Sequence, residues 1–292
     1  MFNFGGLTED DTGEKEARFS VIPVPYDLTA TYGAGARRGP HAIIEASTHM
    51  ELYDEELGEE PYRAGIETLE PLEPTAAGPE GMIKAVRSVA GSVLETNKIP
   101  VILGGEHSIT LGAVRAALER WPDLTVLQLD AHADMRESYQ GTPFSHASVA
   151  RRISEICPIV QAGIRSMSAE EAEFLKGAGS GPVTTYYAAM LMAGGAEKTA
   201  EGIIKNLSGN VYLTVDIDVL DPSIMPSTGT PEPGGLGWYE ILKVLKKVIS
   251  KKTVRGFDVV ELAPLAGVAA PDFLAARLVY KIMAYINEGL KG

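Results

Sequence analysis

Apolar residues in this chain fall into short unbroken runs, separated by stretches in which they recur at helical spacing. The runs at 19–24, 99–103, 125–129, 158–164, 211–215 and 253–260 read as buried strands. Helical patterns lie between them. Gly39-Pro40 opens one that continues to about Met50, with proline in the first turn. Met82, Ile83, Val86, Val89, Ala90, Val93 and Leu94 predict an amphipathic helix over 80–97. Further helices are predicted over 108–120 with Ser108 as N-cap, near 146–155, and over 168–176, 187–207, 238–250 and 272–288. The Glu- and Pro-containing stretch 55–79 reads as surface connection, and 221–237 as a Pro/Gly-rich loop. Residues 1–18 turn acidic and polar and read as a flexible or docking arm. Strands alternating with helices predict an α/β fold with a mostly parallel sheet covered on both faces. No repeat or linker interrupts the pattern, so one domain over 1–292 is expected.

Composition narrows the picture. Apolar residues make up 45% of 292, enough for a sizeable core. No window approaches the ~18 uninterrupted apolar residues of a membrane span, and the N-terminus lacks the basic and apolar regions of a secretory signal. The single cysteine, Cys157, excludes an internal disulfide, fits a cytoplasmic location and is expected as a packed thiol. A net charge of −13 argues against a nucleic-acid partner and suits cationic ligands.

The chemistry gathers where strands are predicted to end. His107 follows the run ending at Leu103, Asp130 follows Leu129, Asp216 follows Val215 and Glu261 follows Val260. Ligands of open α/β sheets collect outside those ends. Asp130-Ala131-His132-Ala133-Asp134 places alternate side chains on one side of an extended segment, and Asp216-Ile217-Asp218 repeats the spacing. Asp130, Asp134, Asp216 and Asp218 supply carboxylates, and His107 and His132 supply imidazoles. That set exceeds what one small ion needs and serves two if carboxylates bridge. Mixed O/N donors without thiolate fit Mn²⁺ best, with Zn²⁺, Co²⁺, Ni²⁺ and Fe²⁺ as other readings. Two ions roughly 3.5–4 Å apart can share one water and lower its pKa. Asp221-Pro222 reads as a turn, and His41 and His49 as surface or packing residues.

Four motifs, in order, resemble the ureohydrolases, the arginases, agmatinases and their relatives. They are Gly104-Gly105-Glu106-His107-Ser108, the Asp130–Asp134 run, Val215-Asp216-Ile217-Asp218-Val219-Leu220-Asp221-Pro222, and Gly229-Thr230-Pro231-Glu232-Pro233-Gly234-Gly235. The resemblance implies a three-layer α/β/α arginase-like fold and two Mn²⁺ per subunit. One ion would be held by His107, Asp130, Asp134 and Asp216, the other by His132, Asp130, Asp216 and Asp218. Glu261 matches the glutamate that pairs with a substrate guanidinium, His146 a proton shuttle and substrate contact, and Thr230 a pocket-lining residue. Asp134 would hold a proton during metal-assisted hydrolysis of the guanidino carbon. A homotrimer or homohexamer is also implied.

Within that family, arginases carry asparagine where this chain has Arg136. Asp134-Met135-Arg136-Glu137-Ser138-Tyr139-Gln140-Gly141 with Ser145-His146 is similar to bacterial and archaeal agmatinases. The resemblance therefore implies hydrolysis of agmatine to putrescine and urea. N1-aminopropylagmatine, arginine and guanidinobutyrate are alternative substrates, and a non-catalytic metal-binding protein is the reading from another class. The apolar stretch 263–271 departs from the agmatinase pattern and predicts an altered pocket wall.

Overall fold

The computed structural model describes residues 3–8, 11, 17–177 and 181–290. Among them, eight parallel strands form one sheet in the order β2-β1-β3-β8-β7-β4-β5-β6. They are β1 (Phe19–Val24), β2 (Ile66–Thr68), β3 (Ile99–Gly104), β4 (Thr125–Leu129), β5 (Ile159–Ile164), β6 (Val183–Tyr187), β7 (Asn210–Asp216) and β8 (Thr253–Val260). The helices are α1 (Gly39–Ser47), α2 (Gly78–Glu95), α3 (Thr110–Arg120), α4 (Val149–Ser154), α5 (Ala169–Lys176), α6 (Ala188–Gly194), α7 (Ala196–Asn206), α8 (Trp238–Ile249) and α9 (Ala270–Gly289).

Alternation along the strands sorts the core into two layers. Val101, Leu103, Leu127, Leu129, Phe257 and Val259 pack with apolar residues of α1, α6, α7, α8 and α9. Ile22, Ile102, Val126, Tyr212 and Val260 face the opposite way, against α2, α3 and α4. The result is the α/β/α sandwich expected of a parallel sheet with both faces covered.

Two strands escape sequence reading, β2 within 55–79 and β6 before α6. Both form edges of the sheet. β2 has three residues, and most of β6 is only half buried, so neither needs the continuous apolar run of a central strand. The helix expected over 187–207 is two helices, broken at Gly195 with φ 80°. Ser108 does not cap α3. A short 3₁₀ turn, His107–Ile109, precedes that helix, and the Ser108 hydroxyl donates to Glu106 at 2.5 Å. In the N-terminal arm Phe4 is fully buried, and its N–H donates to Thr68 Oγ1 at 2.9 Å. Residues 1–2, 9–10 and 12–16 of that arm lie outside the described residues.

The order β3-β8-β7-β4 makes neighbours of the four strands that deliver the polar groups. Register aligns their C-terminal ends: Leu103 pairs with Val259, Val260 with Asp216, and Val215 with Leu129. Just beyond β3, Gly105 lies against the turn that follows β1. A Cβ on Gly105 would sit 1.8 Å from the Tyr26 carbonyl oxygen, while the Gly105 carbonyl accepts from the Glu261 N–H at 2.8 Å. Gly105→Ala is therefore expected to cost about 3 kcal/mol or more, and thermal unfolding of the variant measures it.

Candidate metal centre and active site

The strand ends place acids and imidazoles against one another at the floor of a single cavity. His107 and Asp130 lie deepest, 1% and 0% exposed. His107 Nδ1 is 3.1 Å from Asp130 Oδ2, 3.3 Å from Asp134 Oδ2 and 3.4 Å from Asp216 Oδ2. His132 Nδ1 is 2.8 Å from Asp218 Oδ2 and 3.8 Å from Asp130 Oδ1. Two groups that could hold a metal ion result, His107/Asp130/Asp216 and Asp130/His132/Asp218, and Asp130 belongs to both.

Backbone geometry builds the cluster. The N–H groups of His132, Ala131 and Asp218 donate to Asp130 (2.6 Å), Asp218 (3.0 Å) and Asp216 (3.0 Å), locking the carboxylates across the ends of β4 and β7. Gln128 Nε2 donates to Asp130 Oδ2 at 2.7 Å. Asp134 and Glu261 have φ of 52° and 64°, a conformation that non-glycine side chains rarely adopt. Each costs on the order of 1–3 kcal/mol and is held by the surrounding structure.

The tautomer of His107 follows from its outer partners. Thr214 Oγ1 donates to Asp258 at 2.5 Å, so it accepts from His107 Nε2–H, 2.8 Å away. Tyr212 also donates to Asp258, at 2.9 Å. Nδ1 is then a bare lone pair, buried without a hydrogen-bond partner and faced by three carboxylates. An imidazole acceptor against carboxylate acceptors is satisfied by a proton or by a cation. The donor set, carboxylate oxygen and imidazole nitrogen without thiolate, fits a hard or borderline divalent ion.

Electrostatics point the same way. Burial, reinforced by Asp130, pushes the Asp134 carboxyl up to about 7. Burial together with Asp218 and Asp130 holds Asp216 well above the usual carboxylate range, and burial together with Asp218 raises Asp130. Burial opposes charge on His132, but Asp218 outweighs it and drives the imidazole to about 11. Asp218 moves down because the same contact with His132 overrides its burial. Burial and the Glu106 charge push Glu261 up to about 8. Burial, with the charges of His107 and His132, pulls His146 down to about 4.

A cavity of about 250 Å³ opens onto the cluster. His132, Asp134, Asp216, Asp218, His146, Thr230 and Glu261 all line it, so the sequence-predicted residues converge, with His107 and Asp130 buried against Asp134 and Asp216 rather than lining it. Its remaining wall includes Thr31, Gly33, Arg136, Tyr139, Ser166, Ser168 and Glu171. The stretch 263–271 does not line this cavity. A bridge between Leu265 and Val268 closes a turn, and residues 265–270 are exposed on the outer surface. Arg38 and Ser227 hold its start through Pro264 and Ala263. The expected change of pocket wall is therefore a change of surface loop. Arg136, by contrast, stands in the wall, its guanidinium 5.4 Å from the Tyr139 ring centroid, and Tyr139 meets His146 edge-on at 5.6 Å.

Asp221 accepts from the N–H groups of Ser223, Gly234 and Gly235, a turn role as expected. Cys157 is buried, and His41 and His49 are exposed and away from the cavity. Sequence reasoning missed Thr29, Thr31, Glu106, Thr214 and Asp258. Glu106 stands inside the quoted motif Gly104–Ser108, and Asp258 is an acid within the apolar run 253–260. The three threonines carry no motif signal.

Comparison with known proteins agrees with this geometry. The sequence profile described as "Arginase family" matches residues 17–285. The chain is 40% identical over 289 residues to the N(1)-aminopropylagmatine ureohydrolase of Synechocystis sp., covering 96% of this chain and 93% of that one. It is 34% identical over 259 residues to the agmatinase of Halalkalibacterium halodurans, covering 86% and 85%. Its fold superposes on the crystal structure of agmatine ureohydrolase of Thermoplasma volcanium with a TM-score of 0.88, at 32% identity, covering 100% and 96%.

Two outcomes follow from the cluster. Ion binding displaces protons from carboxyls and imidazoles whose affinity for protons is raised, so Mn²⁺ should bind more tightly at pH 8 than at pH 6. Calorimetric titration at both values measures this. Thr214→Val removes the acceptor of His107 Nε2–H and should weaken Mn²⁺ binding by roughly 10–100-fold, read in the same titration.

Proposed function

The chain belongs to the arginase family, and from that premise we propose that it hydrolyses the guanidino C–N bond of a linear guanidinoalkylamine, releasing urea and an amine. The observation that carries this reading is the paired ligand cluster sharing Asp130 at the floor of a cavity that Glu261 also lines. Agmatine and its N1-aminopropyl derivative are the substrates that fit. The relative with the higher identity acts, by its name, on the aminopropyl compound, and the agmatinase follows at 34%. An arginine-type substrate is disfavoured, because Arg136 occupies the wall where arginases carry asparagine.

His107, Asp130, Asp134 and Asp216 would hold one divalent ion, and His132, Asp130, Asp216 and Asp218 the other. Mn²⁺ is the reading that the resemblance favours. When bound, the pair would supply a water of lowered pKa and stabilise developing negative charge. The chain's own residues do the rest. Glu261 Oε1 accepts from the His107 N–H at 2.7 Å, leaving Oε2 for the substrate. An arriving guanidinium returns Glu261 to its ionised form and donates to it in a planar fork. Asp134, 3.3 Å from His107 Nδ1 in the cluster, would hold the proton given up by the attacking water, the role that the resemblance implies. His146 stands at the cavity wall to exchange a proton with the departing amine, and Thr230 contributes to the rim. Glu106, Thr29 and Ser108 form a buried polar layer behind this wall.

Among the described residues no helix is long and apolar enough to cross a membrane. A cytoplasmic location and a homotrimeric or homohexameric assembly complete the proposal, the latter checked by light scattering.

Urea release from purified, Mn²⁺-loaded protein tests the activity. Turnover is expected on agmatine or N1-aminopropylagmatine, with little on arginine. Absence of urea from every guanidino compound, with metal demonstrably bound, refutes the enzyme reading and favours the non-catalytic one. Asp130→Asn should abolish both metal binding and turnover. Glu261→Gln should keep both ions and raise KM by roughly 10–100-fold, the worth of a charge-assisted hydrogen bond of about 1.5–3 kcal/mol.

A further inference from the structure

His146 is clamped by hydroxyls on both ring nitrogens. Nδ1 is 3.0 Å from Thr29 Oγ1, and Nε2 is 2.8 Å from Thr31 Oγ1. Distance alone leaves the tautomer open, because a hydroxyl can donate or accept. The next contact decides it. Thr29 Oγ1 donates its only proton to Glu106 Oε1 at 2.9 Å. It is therefore an acceptor toward the ring, and it also accepts from the His146 backbone N–H at 3.2 Å.

Glu106 is fully buried. Its carboxylate also accepts from the Thr29 N–H and the Ser108 hydroxyl, each at 2.5 Å. Every hydrogen bond that it makes in the structure is one it accepts, so the Thr29 hydroxyl proton is committed to it. Thr29 is 4% exposed and cannot trade its partners for water.

We propose that Glu106, acting through Thr29, holds His146 in its Nδ1–H tautomer, so that Nε2 is the nitrogen that carries and releases a proton at the cavity. Thr31, which lines the cavity, then donates to the Nε2 lone pair in the resting state. The same hydroxyl must rotate away when Nε2 gains a proton. The proton would leave Nε2 for the amine nitrogen as its bond to the guanidino carbon breaks, and the ring returns to its neutral state. Glu106 and Thr29 touch neither substrate nor metal in this scheme, so they are positioning residues. The proposal rests on the ureohydrolase reading only for the identity of the amine; the tautomer is a property of the resting protein.

Thr29 lies in the connection after β1, Glu106 follows β3, and His146 begins the turn into α4. β1 and β3 are adjacent, so their register sets the distance between Thr29 and Glu106. That the chain crosses three separate connections explains why no local motif records it.

The test is histidine ¹⁵N NMR on full-length protein loaded with diamagnetic Zn²⁺; five histidines keep the spectrum simple. The His146 signal, assigned by His146→Asn, should show protonated Nδ1 and bare Nε2. Thr29→Val, which keeps the shape and removes the hydroxyl, should lose that preference, and Thr29→Ser should restore it. With a turned-over guanidino substrate, Thr29→Val should lower kcat at least tenfold with KM within about twofold and both ions retained; Thr29→Ser should recover most of it. Glu106→Gln is the second variant and should shift the tautomer in the same direction. A protonated Nε2 in the parent protein, or an unchanged tautomer in both Thr29→Val and Glu106→Gln, overturns the proposal. Failure of every substrate sinks the ureohydrolase reading and leaves the NMR result to decide the tautomer.

Discussion

Negative charge crowded into a dry place is the constraint on which this structure turns. Asp130, Asp134, Asp216 and Asp218 meet at the ends of neighbouring strands with almost no access to water. At an effective dielectric of about 20, two like charges about 4 Å apart cost about 4 kcal/mol. Domains are stable by only about 5–15 kcal/mol in all. The fold can hold such a cluster only with protons or cations among the carboxylates. The raised proton affinities of Asp134 and Asp216 and the unpartnered Nδ1 of His107 express the same demand. A site that must take up positive charge to exist is well suited to hold metal ions and to receive a cationic substrate.

The rest of the architecture serves to keep the cluster from relaxing. Central strands buried on both faces cannot slide without exposing an apolar layer. Backbone N–H groups fix the carboxylates from within, and a Thr214–Asp258–Tyr212 chain fixes His107 from behind. Asp134 and Glu261 sit at positive φ because strand ends and outer hydrogen bonds over-determine them. At Gly105 the connections after β1, β3 and β8 meet, and there no side chain fits.

Behind the ligands, a second set of polar groups recurs with one logic. Two of the three imidazoles at the site each have one nitrogen in contact with a threonine that is itself bound to a buried acid: His107 with Thr214 and Asp258, His146 with Thr29 and Glu106. A hydroxyl donating to a carboxylate has only acceptor capacity left, so it selects the ring tautomer without placing a charge beside the ring. His132 differs. It bonds directly to Asp218, itself a member of the ligand cluster.

The sequence by itself determined the fold class, the central strands and the acids and imidazoles that gather at their ends. Buried strands need unbroken apolar runs, and acids and imidazoles that converge from one segment recur at spacings that put side chains on one side of it; both leave local marks. Edge strands β2 and β6 left none because half-buried strands need no such run, and the break at Gly195 was hidden in an apolar helical pattern. Only the tertiary structure decided that β3, β8, β7 and β4 are neighbours, that the apolar stretch after Glu261 turns outward, and that Thr29, Thr31, Thr214 and Asp258 stand behind the histidines. Those facts depend on strand order and on side-chain contacts between residues 44 to 117 positions apart. No periodicity or short motif can carry such information, because the groups meet only after the sheet has assembled.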